Sequence, residues 1–518
     1  MKTSHIKFNA VLTCILAIFA QNTQAESKLW KNVTDRFAKQ RDDVVVVKNL
    51  TPEVKEKIEQ QKVFEDSLNK PIREDIRNLR GNVGIVNCLS QSSLKQDKIL
   101  TLMEAVEKAV CNNPETHNAW IQTKIQAAQV GIAKSAFYPQ FSATLNYDWG
   151  KDDYQVDQRP DLSYDTDTRR YGIAVQANWL LYDFGAQYYQ KEEAERLLAM
   201  YFAQQDYVLQ DVILKTISAY YEVIQQELKL KNLKQLVIYA EQNYDIAHAR
   251  YKAGAGIKSD ELQMFANFAK AQSNLTMVEG DLKIAKGSLA SVIGEPAFQD
   301  FTVESQIKIP KALDLKPIKE LLNQAEEQHP RLKAAKLAID AAESKLKSVK
   351  RSKYPTLTFT SAYNFSTQMG QSPFGNDTQQ IEAGVKMNLP VFDGFNRKNQ
   401  QKVAQGDLYQ KQIEEDRTRK ELVNEIWKNY NQLQASYENI KALSALDKSA
   451  EKAYEVVRGR YKGGVGNMNE VFNSQNLSTE AKMNYSTALT EFLVLRYQLL
   501  SNIGNLNIWT EKNTLQNN

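Results

Sequence analysis

Two stretches carry polar and charged side chains on one pattern: "RYKAGAGIKSDEL" from Arg250 and "RYKGGVGNMNEVF" from Arg460. Each is an Arg-Tyr-Lys triplet, a glycine turn and then acids, Asp260 and Glu261 in the first and Glu470 in the second. Acids so placed can cap a helix, because carboxylates are stabilised by the free N–H groups of a helix start. Ser259, Asp260 and Glu261, like Asn469 and Glu470, fall where a helix would open. Carboxylates gathered on a symmetry axis would also repel one another and attract cations, and a ring of them favours cation passage. The two roles are compatible. Gly254, Gly256, Gly464 and Gly466 are there to let the chain reverse.

No comparable pattern supports catalysis. His117, His248 and His329 are scattered, and no metal-ligand spacing or Ser/His/Asp grouping occurs. His329, just before Pro330, suits a helix start better than a ligand. The reading is a non-enzyme with no cofactor and no metal. A formal charge of +4 over 518 residues gives no argument for a nucleic-acid partner.

The turns must be positioned by long elements. Only 12 prolines and 21 glycines interrupt the chain. No proline occurs from Asp183 to Arg250 or from Asp393 to Arg460, and about 68 residues of helix make a rod of roughly 100 Å. In the second rod Leu422, Ile426, Tyr430, Leu433, Tyr437, Ile440, Ala450, Ala453 and Val457 define a narrow coiled-coil seam.

The chain is duplicated. Pro114 matches Pro330, Tyr138-Pro139 matches Tyr354-Pro355 and Tyr147 matches Tyr363, at an offset of 216. From Asn178 and Asn388 onward the offset is 210, through Asp183 and Asp393, the two Arg-Tyr-Lys triplets, and Ile293-Gly294 and Ile503-Gly504. The six missing residues belong in a surface loop, and constant offsets of this kind mark an internal repeat. The organisation expected is 99–300 for the first repeat, 301–326 for a linker, 327–508 for the second repeat and 509–518 for a disordered tail.

Each repeat carries two strands with strict alternation. Phe141, Ala143, Leu145, Tyr147 and Trp149 alternate with polar residues, and Tyr171, Ile173, Val175, Ala177, Trp179 and Leu181 with smaller or polar ones. Leu357, Phe359, Tyr363 and Phe365, then Ile381 to Val391, repeat the pattern. Strands of about ten residues, aromatics near their ends and a polar opposite face fit a membrane barrel better than hairpins on a soluble core. Gly150–Thr168 and Ser366–Thr378 are then the outer loops. Four strands cannot close a barrel, and open edges in lipid leave backbone groups unpaired. Copies must close it: two would give eight strands, three would give twelve.

Residues 1–25 read as a secretory signal: Lys2 and Lys7, the apolar run "AVLTCILAIFA", then small Ala25. "VLT" before Cys14 is a poor lipidation box. Export leaves Cys88 and Cys111 in an oxidising compartment, where the pair is expected to form a disulfide, with two buried thiols as the alternative. Residues 26–98 read as a charged periplasmic extension without an assignable role.

These pieces resemble the TolC family of outer-membrane exit ducts. The resemblance covers about residues 100 to 508. It rests on "LTLMEAVEKAVCNNPETHNAW", the Tyr-Pro strand starts, "WLLYDFGAQ" and "LPVFDGFNR" at strand-to-helix junctions, and both Arg-Tyr-Lys turns. It implies a homotrimer in the outer membrane of a Gram-negative bacterium, with a twelve-stranded barrel continuous with a periplasmic helical tube. A periplasmic adaptor and an inner-membrane ABC or proton-driven transporter would dock at the tip. The cysteines, the second in "AVCNNP", look like the type I protein-secretion branch. The resemblance further implies a gate, with Ser259 and Asp260 meeting Tyr461 across the hairpins and Glu470 forming an acidic ring. Asn473 stands where the family often has a second acid, and Gly466 where a partner Arg is found, so a weaker or different gate is expected. The alternative from another class is a periplasmic coiled-coil adaptor or scaffold with no pore.

Overall fold

The computed structural model describes residues 99–304, 313, 315–369 and 377–506. The signal segment, the extension to residue 98, Cys88 and the tail lie outside the described residues. The elements run β1 (Ile99–Leu100), α1 (Leu102–Asn112), α2 (Pro114–Ser135), β2 (Gln140–Tyr154), β3 (Tyr164–Tyr182), α3 (Ala186–Lys252) and α4 (Lys258–Val292). There follow β4 (Thr302–Val303), α5 (Ile318–Gln328), α6 (Pro330–Arg351), β5 (Thr356–Met369), β6 (Asp377–Asn388), α7 (Asn396–Lys462) and α8 (Met468–Asn502). A short 3-10 turn at Pro160–Leu162 lies between β2 and β3.

The fold class is the expected one, α+β with a duplicated order. Paired elements agree in length: 11 residues in α1 and α5, 22 in α2 and α6, 67 in α3 and α7, 35 in α4 and α8. The duplication reaches back to Ile318, inside the stretch expected to be a linker. The polar sequence of α5 hid its kinship with α1; it buries only Leu321 and Ala325. Its neighbour β4 pairs in parallel with β1, Ile99 opposite Thr302, and the Tyr220 hydroxyl lies 3.1 Å from both Leu100 O and Glu304 O.

The strands form one antiparallel sheet in the order β2-β3-β5-β6. Its register sorts the faces. Ala143, Val175, Tyr363 and Ile381 lie in one row across the sheet, and Thr144, Ala174, Asn364 and Gln380 in the next. Alternation thus gives one apolar and one polar surface. The strands are longer than the expected ten residues. The ladder continues through Lys151–Asp167 and Tyr154–Tyr164, whose rings stack at 5.0 Å, so much of the outer loop expected at Gly150–Thr168 is strand. Beyond the apolar band both faces meet water, so pairing persists there without alternation to mark it. The register puts the six-residue difference in the ladder: it runs seven further pairs from Tyr147–Tyr171 to Tyr154–Tyr164, and four from Tyr363–Ile381 to Thr367–Asp377.

At the foot of the sheet β3 hands over to α3 and β6 to α7. Asp183 accepts from the N–H of Gly185 (3.0 Å) and of Gln187 (2.6 Å). Asp393 accepts from the Arg397 N–H at 2.9 Å and from its Nε at 2.7 Å, and these bonds hold its carboxyl below the usual range. The rods α3 and α7 are unbroken, roughly 100 Å each. The main core gathers where α1, α3, α4, α7 and α8 meet, around Leu100, Ile213, Ile224, Leu289, Ile426, Leu433 and Phe492.

The α7 seam follows the spacing of three and four, with two further residues buried. Asn429 is buried beside Tyr430, which like Val457 is half-buried against the core, and Tyr454 is buried where Ala453 was expected. Geometry sets which positions face inward, and a polar residue at such a position is buried with the rest.

Candidate gate at the hairpin tips

The two hairpins end in the same turn. Ala255 N–H donates to Arg250 O at 2.9 Å and Val465 N–H to Arg460 O at 3.0 Å, with Gly254 at φ 70° and Gly464 at φ 82°. This is a Schellman closure, which needs a left-handed residue. Gly256 and Gly466 serve a different need: a Cβ on either would come within 3.1 Å of the Tyr251 or Tyr461 backbone nitrogen.

The tips pack against each other within one chain. Ala247, Met264, Tyr454, Tyr461, Met468 and Val471 form a separate small core. Above it sits a buried polar layer: Asn243 Nδ2 donates to the Tyr454 hydroxyl at 3.1 Å and to Gln475 Oε1 at 2.9 Å. Arg458 reaches Gln242 on the opposite rod.

The link between the two turns is Arg250. Its guanidinium lies 4.7 Å from the Tyr461 ring centre, and Nη1 donates to Tyr461 O at 3.0 Å. Tyr461 is buried. Burial raises its hydroxyl pKa; the Arg250 charge opposes that rise and Asp260 adds to it. Asp260 is half-buried and Ser259 exposed, and neither makes a side-chain hydrogen bond to Tyr461 among the described residues. Arg250 is the partner that sequence reasoning missed. It was read as part of a repeated triplet, and the repeats use that triplet differently. Arg460 stays in its own hairpin, with Nη1 3.8 Å from Glu470.

Glu261, grouped with the gate residues from sequence, is turned into its own hairpin. Its buried carboxylate meets Lys258 Nζ at 2.5 Å and His248 Nδ1 at 2.7 Å, and these hydrogen bonds, that of Lys258 first, hold its pKa down. Glu470 and Asn473 are exposed, and Asn467 caps the helix start by accepting from Asn469 N–H at 2.7 Å. The described residues contain no group of acids, histidines and cysteines able to hold a metal ion. Of the remaining histidines, His329 caps α6 through Nδ1, and His117 Nε2 lies 2.7 Å from Cys111 O. Cys111 is disulfide-bonded, with its partner outside the described residues.

The profile of the outer membrane efflux protein family matches residues 105–295 and 321–505. The chain belongs to that family. The two matched segments start 216 residues apart and end 210 apart, the offsets of the duplication itself. Among similar proteins, Protein CyaE of Bordetella pertussis is 24% identical over 79% of this chain and 84% of its own length. The outer membrane efflux protein BepC of Brucella suis is 26% identical over 78% and 86%. The alkaline protease secretion protein AprF of Pseudomonas aeruginosa is 21% identical over 76% and 84%. The Campylobacter jejuni CmeC outer membrane channel has the same fold, with a TM-score of 0.69 over 80% of this chain and 88% of that one at 16% identity. This family member is thus an outer-membrane export duct, and its strands are the membrane part. No helix among the described residues is long and apolar enough to cross a membrane.

Proposed function

We propose that three copies close the duct and that it conducts exported protein passively from an inner-membrane transporter. The observation that carries closure by further copies is the open sheet, and three is the smallest number that leaves a pore, since two give only a tight eight-stranded barrel. β2 and β6, 15 and 12 residues long, each have one edge unpaired among the described residues. Backbone groups left unpaired in hydrocarbon cost several kcal/mol each, roughly. Three sheets joined edge to edge remove every such group. The rods support the same arrangement: α4 exposes Phe265, Met277 and Ile284, and α7 exposes Val403, Ile413 and Trp427, apolar positions that need a neighbouring chain.

In such a trimer the tips meet at the axis. Arg250, Asp260 and Tyr461 hold each pair of hairpins together, and Glu470 contributes to a ring of carboxylates weakened by Arg460. Opening requires the hairpins to separate, and a periplasmic adaptor engaging the tips would drive it. Protein as cargo is supported by the disulfide at Cys111 and by the likeness to a protease secretion protein. The second reading, small toxic compounds, is favoured by the likeness to BepC. Deletion of the gene distinguishes them. Loss of one or a few large secreted proteins with unchanged drug susceptibility supports secretion; unchanged secretion with new drug or dye sensitivity replaces it with efflux.

A further inference from the structure

The two repeats differ sharply at the foot of the sheet, where the apolar band ends. In the second repeat, α6 ends on Lys350 and Arg351, Lys353 follows, and α7 begins with Lys398 and Lys402. At the matching positions the first repeat has Lys134, Ser135, Phe137, Tyr188 and Glu192. One cation is kept and four are replaced by neutral or acidic residues. The duplicated scaffold does not require these charges, because its other copy folds without them.

The five cations are exposed and make no ion pair among the described residues. The nearest acid at the α7 start, Asp393, is already held by Arg397. Three of them lie over aromatic rings. Arg351 is 5.8 Å from the Tyr354 ring centre and 6.0 Å from that of Tyr189, Lys353 is 5.1 Å from Tyr354, and Lys398 is 5.9 Å from Phe395. Val391, Phe392 and Phe395 are exposed beside them. Aromatics at a membrane boundary sit at head-group level, so these contacts set the charges at the depth of lipid phosphates.

We propose that this patch binds the head groups of anionic phospholipid in the inner leaflet of the outer membrane. Helix-end electrostatics accounts for part of the pattern, since cations suit the last turn of α6. It does not account for Lys398, which stands in the first turn of α7, where the helix dipole disfavours a cation. An anionic partner resolves that conflict. A Lys or Arg near a charged membrane surface contributes about 1 kcal/mol.

The test is competition between phosphatidylglycerol and phosphatidylcholine for the purified assembly in detergent, read by native mass spectrometry. The parent protein retains phosphatidylglycerol preferentially. Arg351→Gln/Lys353→Gln/Lys398→Gln lowers that preference about tenfold or more, while Lys134→Gln keeps it. Should the triple variant fail to assemble, Lys398→Gln alone lowers the preference about fivefold. Equal retention of both lipids by the parent, or an unchanged preference in Lys398→Gln, overturns the proposal.

Discussion

His329 shows how one position can differ between copies without changing its structural task. It caps α6 as Asn113 caps α2, each accepting from the N–H two residues on. Burial, with Arg331 nearby, lowers its pKa to about 4. The sign follows from that direction. The folded state resists the proton and the unfolded state takes it below about 6.5, so the contribution is complete above that pH and is lost as pH falls toward 4. The loss amounts to roughly 3 kcal/mol at most. Thermal melts of the purified assembly from pH 7 to pH 4 will therefore show a fall that His329→Asn flattens, since asparagine keeps the cap and has no proton to gain. An equal fall in both proteins would assign the pH dependence elsewhere. The helix-start role of His329 was legible from the Pro330 that follows it. The burial that shifts its titration was not, because it depends on the α8 end packing over it at Gly504, where an added Cβ would lie 2.7 Å from the His329 Cα.

At the scale of elements, the duplicated turns hold the tips through unequal bonds. A hydrogen bond from a charged donor contributes about 1.5–3 kcal/mol. Arg250→Ala removes one between hairpins and is expected to raise the open population at least tenfold, read as higher single-channel conductance in planar bilayers. Tyr461→Ala acts in the same direction. A conductance unchanged in both variants would show that the Arg250–Tyr461 contact does not hold the tips. The sheet makes a second prediction. Val385 lies on the apolar face and Lys386 on the polar one. Val385→Lys costs about 2–4 kcal/mol in the mid-membrane region and reduces assembled protein in the outer membrane, while Lys386→Gln leaves it intact. Equal loss in both would reverse the assignment of faces. Alternation made these faces readable from the sequence, as it did the proline-free rods. Strand ends were not readable, because the ladder past Trp149 runs through water, where nothing selects one side chain parity over the other. The seam erred at Asn429 and Tyr454 for a related reason: a search for apolar residues passes over polar ones that the helical spacing buries.

At the scale of the molecule, duplication is the property that the sequence displayed most openly, and offsets of 216 and then 210 carry it through the four helix pairs. What one chain could not display is the number of copies. The open edges of β2 and β6 demand closure but are satisfied by any number that completes a ring, and the exposed faces of α4 and α7 only repeat the demand. Three is the number on which the duct, the lumen and the acidic tip ring all rest. The deciding measurement is the protein mass of the detergent-extracted particle, by light scattering with the detergent contribution subtracted. Three mature chains per particle is the predicted result. A particle of one or two chains would contradict the account, since one leaves both sheet edges open and two close only an eight-stranded barrel too narrow to conduct.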